Sequence, residues 1–133
     1  MNKHLFVYGE DGSGKGLFAI KYSKGNIYPI PNGLSWPKTF TRIKHLVNEN
    51  TVFLWNSLYR RNRSLITRIP KLDESFPNHT HIIISRFPPE YYSKRIQDFL
   101  IDYNFIPIKL VPEQYGNPSI VGPYLDSIIQ TIR

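Results

Sequence analysis

Apolar residues along this chain fall into short unbroken runs, separated by segments in which they recur every three to four positions. The runs are His4–Tyr8 (HLFVY), Asn26–Ile30 (NIYPI), Thr51–Trp55 (TVFLW), Thr80–Ser85 (THIIIS) and Phe105–Val111 (FIPIKLV). Short continuous runs rich in branched and aromatic residues predict strands buried on both faces. Pro107 suits an edge or an early position in the last of them. The segments between have helical spacing. Gly16–Lys24 ends before Gly25, and Lys38–Val47 places Phe40, Ile43 and Val47 on one side, with Pro37 as a first-turn residue. Asn56–Arg68 is basic and polar and predicts helix in part. Pro88–Tyr103 predicts a helix with Tyr92, Ile96, Phe99 and Leu100 inward. Pro118–Ile132 predicts a last helix with Val121, Leu125, Ile128, Ile129 and Ile132 on one face.

Strands and helices therefore alternate along the chain. That order predicts an α/β fold in three layers: a mostly parallel five-stranded sheet with helices on both faces. No internal repeat or low-complexity tract interrupts it, and the 133 residues read as one domain.

Composition narrows the function classes. With 41% apolar and 14% aromatic residues the chain reads as folded rather than disordered. It has no cysteine, which excludes disulfides and thiolate metal sites. No stretch reaches the roughly 18 apolar residues that span a bilayer, and Leu5–Tyr8 is too short for a signal peptide, so no membrane partner and an intracellular, cytoplasmic location are expected. The net charge of +7 and the pI of about 9.7 favour polyanions: nucleic acid, nucleotide phosphates or anionic lipid.

The first strand runs straight into Gly9-Glu10-Asp11-Gly12-Ser13-Gly14-Lys15, which has the form Gly-x4-Gly-Lys. Glycines let the backbone close around a phosphate, and the amide N–H groups then converge on the anion at a helix N-terminus. Gly9, Gly12, Ser13, Gly14, Lys15 and Gly16 are the candidate nucleotide-binding residues, with Lys15 reaching the β- and γ-phosphates of ATP or another NTP. A Ser or Thr normally follows the lysine and ligands Mg2+. Here that position is Gly16. Hydrolysing proteins of this kind also carry an acid at a neighbouring strand end. The strand TVFLW ends instead at Asn56, whose amide can orient a metal-bound water but cannot act as a base. THIIIS ends in Ser85-Arg86, either of which could sense the γ-phosphate. The candidate catalytic residues are Lys15, Asn56 and Arg86, and phosphate binding is better supported than phosphate cleavage.

The densest positive patch is Tyr59-Arg60-Arg61-Asn62-Arg63, followed by Arg68 and Lys71. Arginine clamps phosphate and tyrosine stacks on bases, so Tyr59, Arg60, Arg61, Arg63 and Arg68 are candidate nucleic-acid contacts. The same segment could instead be a nucleotide lid, or a solvated helix face. Pro88-Pro89-Glu90-Tyr91-Tyr92 reads as helix-entry packing. The histidines, 4, 45, 79 and 81, are scattered, and no metal site is expected.

Gly9–Lys15 after HLFVY, with THIIISRFPPEYY some seventy residues on, resembles the ATPase domain of superfamily 3 helicases. It is most similar to that of the replication initiator proteins of small circular single-stranded DNA viruses. The resemblance covers roughly residues 3 to 95. In that family an acidic strand end precedes a strand ending in a polar sensor, usually asparagine, and a Pro-and-aromatic segment follows. Gly9, Gly12, Gly14 and Lys15 match. Gly16 stands where Ser or Thr is usual, Asn56 where the second acid would be, and Arg86 where the sensor would be. The resemblance implies a nucleotide-binding, DNA-associated replication protein that can form homo-oligomers, or a degenerate relative. Two alternatives remain open on the residues: a small nucleotide kinase-like phosphotransferase, and a non-catalytic P-loop module that binds nucleic acid or assembles.

Overall fold

The computed structural model describes residues 3–30, 36–56, 64–111 and 118–132. Strand β1 (Leu5–Tyr8) leads through the glycine loop to α1 (Lys15–Ser23), then β2 (Ile27–Pro29), α2 (Trp36–Leu46), β3 (Val52–Asn56), α3 (Ser64–Ser75) and β4 (Thr80–Ser85). A single 3₁₀ turn, Pro89–Tyr91, precedes α4 (Lys94–Asp102), β5 (Ile106–Lys109) and α5 (Pro118–Ile132). Among the described residues the five strands form one all-parallel sheet in the order β2-β3-β4-β1-β5.

The continuous hydrophobic runs are explained by helices on both faces. Alternate residues of each strand feed two separate cores. Phe6, Phe53, Trp55 and Ile83 pack with Ile43, Ile69, Leu72, Ile96 and Leu100 of α2, α3 and α4. Leu5, Val7, Val52, Ile82 and Ile84 pack on the opposite side with Phe18, Ala19, Tyr22, Leu125 and Ile129 of α1 and α5. β4 lies in the middle of the sheet, and every one of its residues is buried.

Each outer strand carries a proline whose missing N–H lies on the outer side. Ile106 and Leu110 donate inward to His4 and Tyr8. Alternation along the strand then turns position 107 outward. Ile30 donates inward to Leu54 at 2.8 Å, so Pro29 also faces out. Prolines here blunt both edges against the addition of a further strand.

Two sequence expectations are corrected. The helix over Pro88–Tyr103 is not continuous. Ser93 is extended (φ −61°, ψ 156°) and its hydroxyl caps α4 by accepting from the Ile96 N–H. The prolines at 88 and 89 disfavour helical geometry in the residues before them, so the segment makes one tight turn first. The partial helix expected to end near Arg68 instead runs to Ser75, through Pro70. Ile69 and Leu72, both fully buried, hold that helix to the sheet despite the backbone bond that Pro70 removes.

Candidate functional site

β1 lies between β4 and β5, and the chain leaves the neighbours β1 and β4 in opposite directions. β1 feeds α1 toward β2, on the far side of β4, whereas β4 feeds α4 toward β5. Such a switch in strand order opens a crevice beyond the carboxyl ends of the strands, where parallel α/β sheets bind ligands. The loop Gly9–Gly14 occupies that position.

Local backbone geometry explains the glycines. Gly12 and Gly14 have φ of 83° and 90°, in the left-handed region where a side chain is strained. Gly9 is required for a different reason. A Cβ there would lie 2.4 Å from the Leu110 carbonyl oxygen and 2.8 Å from Ser13 Oγ. The Gly9 N–H extends the sheet by donating to the Ser85 carbonyl at 3.2 Å, and the Ser13 N–H closes a turn onto the Glu10 carbonyl at 3.1 Å. Gly14 then caps α1 with no side-chain bond to the first turn. The opening amides of that helix are thus left for another acceptor.

Lys15 is the first residue of α1. Its ammonium folds back over the loop and donates to the Gly9 carbonyl and, at 2.9 Å, to the Glu10 carbonyl. Burial lowers its pKa, Asp11 opposes that shift, and the positive charge of Arg86 adds to it. Arg86 follows directly on Ser85, the backbone partner of Gly9, so the loop and Arg86 share one corner of the sheet. Ser13 is 4% exposed, and its hydroxyl has no partner among the described residues.

Gly16 is exposed on the first turn of α1, and a Cβ there would meet nothing within 4 Å. Asn56, also exposed, ends β3 opposite Ile84 of β4. It shares the loop's edge of the sheet, but β4 stands between, which places it roughly two strand spacings, about 10 Å, from β1. Neither residue supplies the hydroxyl or the carboxylate that would hold magnesium in the usual way, and the carboxylates nearest in sequence, Glu10 and Asp11, are exposed in the loop itself. The residues present therefore do not make a standard magnesium site. Among the described residues no group of three or more His, Asp or Glu side chains is placed to hold a metal.

Of the two candidate sensors, Ser85 is committed elsewhere. It is 1% exposed. Its hydroxyl donates to the Phe87 carbonyl at 2.9 Å and accepts from the Phe87 N–H at 3.0 Å. With its proton on Phe87, it takes the Tyr92 phenol as a further donor. Arg86 is left as the sensor candidate, exposed at this strand end with its guanidinium 5.9 Å from the Phe87 centroid. Of the basic cluster, Tyr59, Arg60, Arg61 and Arg63 lie outside the described residues. Arg68 is described, and its guanidinium lies 5.3 Å from the centroid of the Trp36 ring, joining α3 to α2.

Two features escape a reading of the sequence. One is a buried chain of side chains toward the amino ends of the strands. Trp55 Nε1–H donates to His81 Nδ1 at 3.0 Å, so the His81 proton sits on Nε2 and is donated to Asp73 at 2.7 Å. The Tyr103 hydroxyl donates to the other Asp73 oxygen at 2.7 Å, and His4 Nδ1 accepts from the His81 N–H at 3.0 Å. Burial would raise the Asp73 pKa, but the hydrogen bonds from His81 and Tyr103 bring it below the usual value. The network uses Asp73, one of two neighbouring acids in α3, at the end of the sheet away from the loop. The second feature is an exposed aromatic stack, Phe87 on Tyr91, in the segment read as helix-entry packing. No helix among the described residues is long and apolar enough to cross a membrane. No protein-family model matches the chain, and no curated protein matches its sequence.

Proposed function

We propose that this chain is a three-layer P-loop nucleotide-binding protein that holds the phosphates of ATP or another NTP on Gly9–Gly16 and acts together with nucleic acid. The observation that carries the reading is the loop at the strand-order switch: two left-handed glycines, an uncapped helix N-terminus and a lysine folded over the loop's own carbonyls. A phosphate gives the free amides an acceptor and gives Lys15 a stronger partner than two neutral carbonyls. The lowered Lys15 pKa, and a buried Ser13 hydroxyl with no partner among the described residues, fit a site that takes up an anion.

Turnover is expected to be slow. Gly16 offers no metal ligand, and Asn56 offers neither charge nor a base, so no hydrolytic step follows from these side chains. The same two residues favour a second reading, a non-catalytic P-loop module that binds nucleic acid or assembles. Isothermal calorimetry with ATP, with and without magnesium, tests the proposal on wild type and Lys15→Ala. Micromolar binding that Lys15→Ala weakens at least tenfold is the expected result. Wild type that takes up no nucleotide under either condition refutes it. ATP turnover measured on the same samples, with and without nucleic acid, separates the catalytic from the non-catalytic reading.

A further inference from the structure

The chain from Arg86 to Arg95 joins β4 to α4 beside the loop. Its aromatic residues divide sharply. Tyr92 is 3% exposed and belongs to the core, whereas Phe87 and Tyr91 are 38% and 39% exposed. Neither of these two belongs to either core formed among the described residues. Their rings stack at 4.1 Å between centroids with 18° between planes. Tyr91 meets the core at its edge, against Tyr92 at 5.4 Å and 88° between planes, yet more than a third of each residue stays open to solvent. The pair is also held in place. Ser85 fixes the Phe87 backbone on both sides, the Tyr91 N–H donates to the Pro88 carbonyl at 3.1 Å, and the Tyr92 N–H donates to Pro89 at 3.1 Å. Two prolines stiffen the turn between the rings.

One cation lies against this stack and two more follow it in the chain. The Arg86 guanidinium lies 5.9 Å from the Phe87 centroid. Arg86, Lys94 and Arg95 are all exposed, and Glu90 is the one carboxylate in the segment. Flat apolar faces interleaved with cations match a strand of unpaired bases joined by phosphates. An acidic peptide would satisfy the cations but leave the rings exposed. A duplex would turn its bases inward and away from them.

We propose that Arg86–Arg95 is a base-stacking site for single-stranded nucleic acid. A base adds a layer to the Phe87–Tyr91 stack, and Arg86, Lys94 and Arg95 contact the flanking phosphates. The inference rests on the nucleic-acid part of the function proposed above and does not depend on nucleotide in the loop. Because Arg86 follows Ser85, whose carbonyl holds the Gly9 N–H, the strand would run past the phosphate loop.

Fluorescence anisotropy of a labelled oligothymidylate, without nucleotide, tests it on wild type, Phe87→Ala, Tyr91→Ala, Phe87→Trp and Lys94→Gln/Arg95→Gln. Each alanine variant should bind at least about fivefold more weakly, as loss of a base-stacking ring does. Phe87→Trp keeps a flat face and should retain binding, which separates stacking from misfolding. The double glutamine variant should lower the slope of log K against log salt by about one to two. Wild type that binds the oligonucleotide while both alanine variants match it in affinity overturns the stacking site and leaves the nucleic-acid reading standing. Wild type that binds no oligonucleotide overturns both. A duplex bound as tightly as the single strand overturns the claim for unpaired bases.

Discussion

Gly9 and Gly16 bracket the same loop, yet alanine should act on them with opposite signs. At Gly9 the new methyl group would sit 2.4 Å from a backbone oxygen, that of Leu110, and 2.8 Å from Ser13 Oγ. Both are far inside van der Waals contact. The serine can turn aside, but the Leu110 carbonyl belongs to chain that continues from β5, where the Leu110 N–H is already bonded to the Tyr8 carbonyl at 2.8 Å. Relief needs a backbone shift, and forced overpacking of that kind costs about 1–3 kcal/mol. At Gly16 the methyl meets nothing within 4 Å, and the residue is helical. Alanine there narrows the unfolded ensemble and should stabilise by about 0.4–1 kcal/mol. For a chain of this size 1 kcal/mol moves Tm by roughly 4 °C. Thermal unfolding should therefore place Gly9→Ala roughly 4–12 °C below wild type and Gly16→Ala about 2–4 °C above it. Nucleotide binding should be lost with the first and kept with the second. Equal shifts of the same sign, or an unperturbed Gly9→Ala, would refute the close approach on which the loop's shape depends.

The same open space makes Gly16→Thr a gain-of-function test: it adds the missing hydroxyl, and calorimetry should show magnesium strengthening ATP binding severalfold more than in wild type. Asp73→Asn turns one of the two acceptor oxygens into a donor facing either His81 Nε2–H or the Tyr103 hydroxyl, and should cost about 1–3 kcal/mol by urea unfolding without altering nucleotide affinity. Burial and the neighbouring His81 hold the His4 pKa below 6.5, against the pull of Asp73, so the unfolded chain binds the proton more readily. Stability from His4 is then complete above pH 6.5 and declines as pH falls through the lower folded value. His4→Asn, which keeps an acceptor for the His81 N–H, should flatten that decline in a Tm–pH series. Ser85→Ala removes the hydroxyl bonds that fix the Phe87 turn but keeps the carbonyl that receives the Gly9 N–H, so oligonucleotide affinity should fall while nucleotide affinity holds.

The elements legible in the sequence are those whose signal is local. THIIIS and TVFLW are continuous because both strand faces are covered, and such runs read as strands before any partner is known. Pro107 pointed to an edge or an early position, where a missing N–H is tolerated, and β5 is an edge strand. The loop is legible for the same reason, since its glycines, its lysine and its flanking strand and helix lie within twenty consecutive residues. Strand order is not local, and nothing in residues 51–56 says that β4 separates Asn56 from the loop. The buried network joins Trp55 to His81 and Asp73 to Tyr103 across 26 and 30 residues. Its members looked like unrelated polar residues because only the folded sheet brings them into contact. The length of α3 was not legible either: it runs through Pro70 because burial of Ile69 and Leu72 outweighs one lost backbone bond.

β4 is the strand on which both proposed sites depend. Toward its amino end His81 is fixed by Trp55 and Asp73, and at its carboxyl end Ser85 uses two different groups for two different tasks. The Ser85 carbonyl anchors Gly9 and so sets where the phosphate loop leaves the sheet. Its hydroxyl anchors Phe87 and Tyr92, and so sets where the aromatic stack stands. Arg86 comes between them in sequence and feels the charge of Lys15 on one side while lying against Phe87 on the other. A phosphate arriving in the loop would therefore change the electrostatic surroundings of the residue that also borders the stack. Were both proposed sites filled, Arg86 would be the residue through which one ligand feels the other, since it follows the anchor of the loop and lies against Phe87.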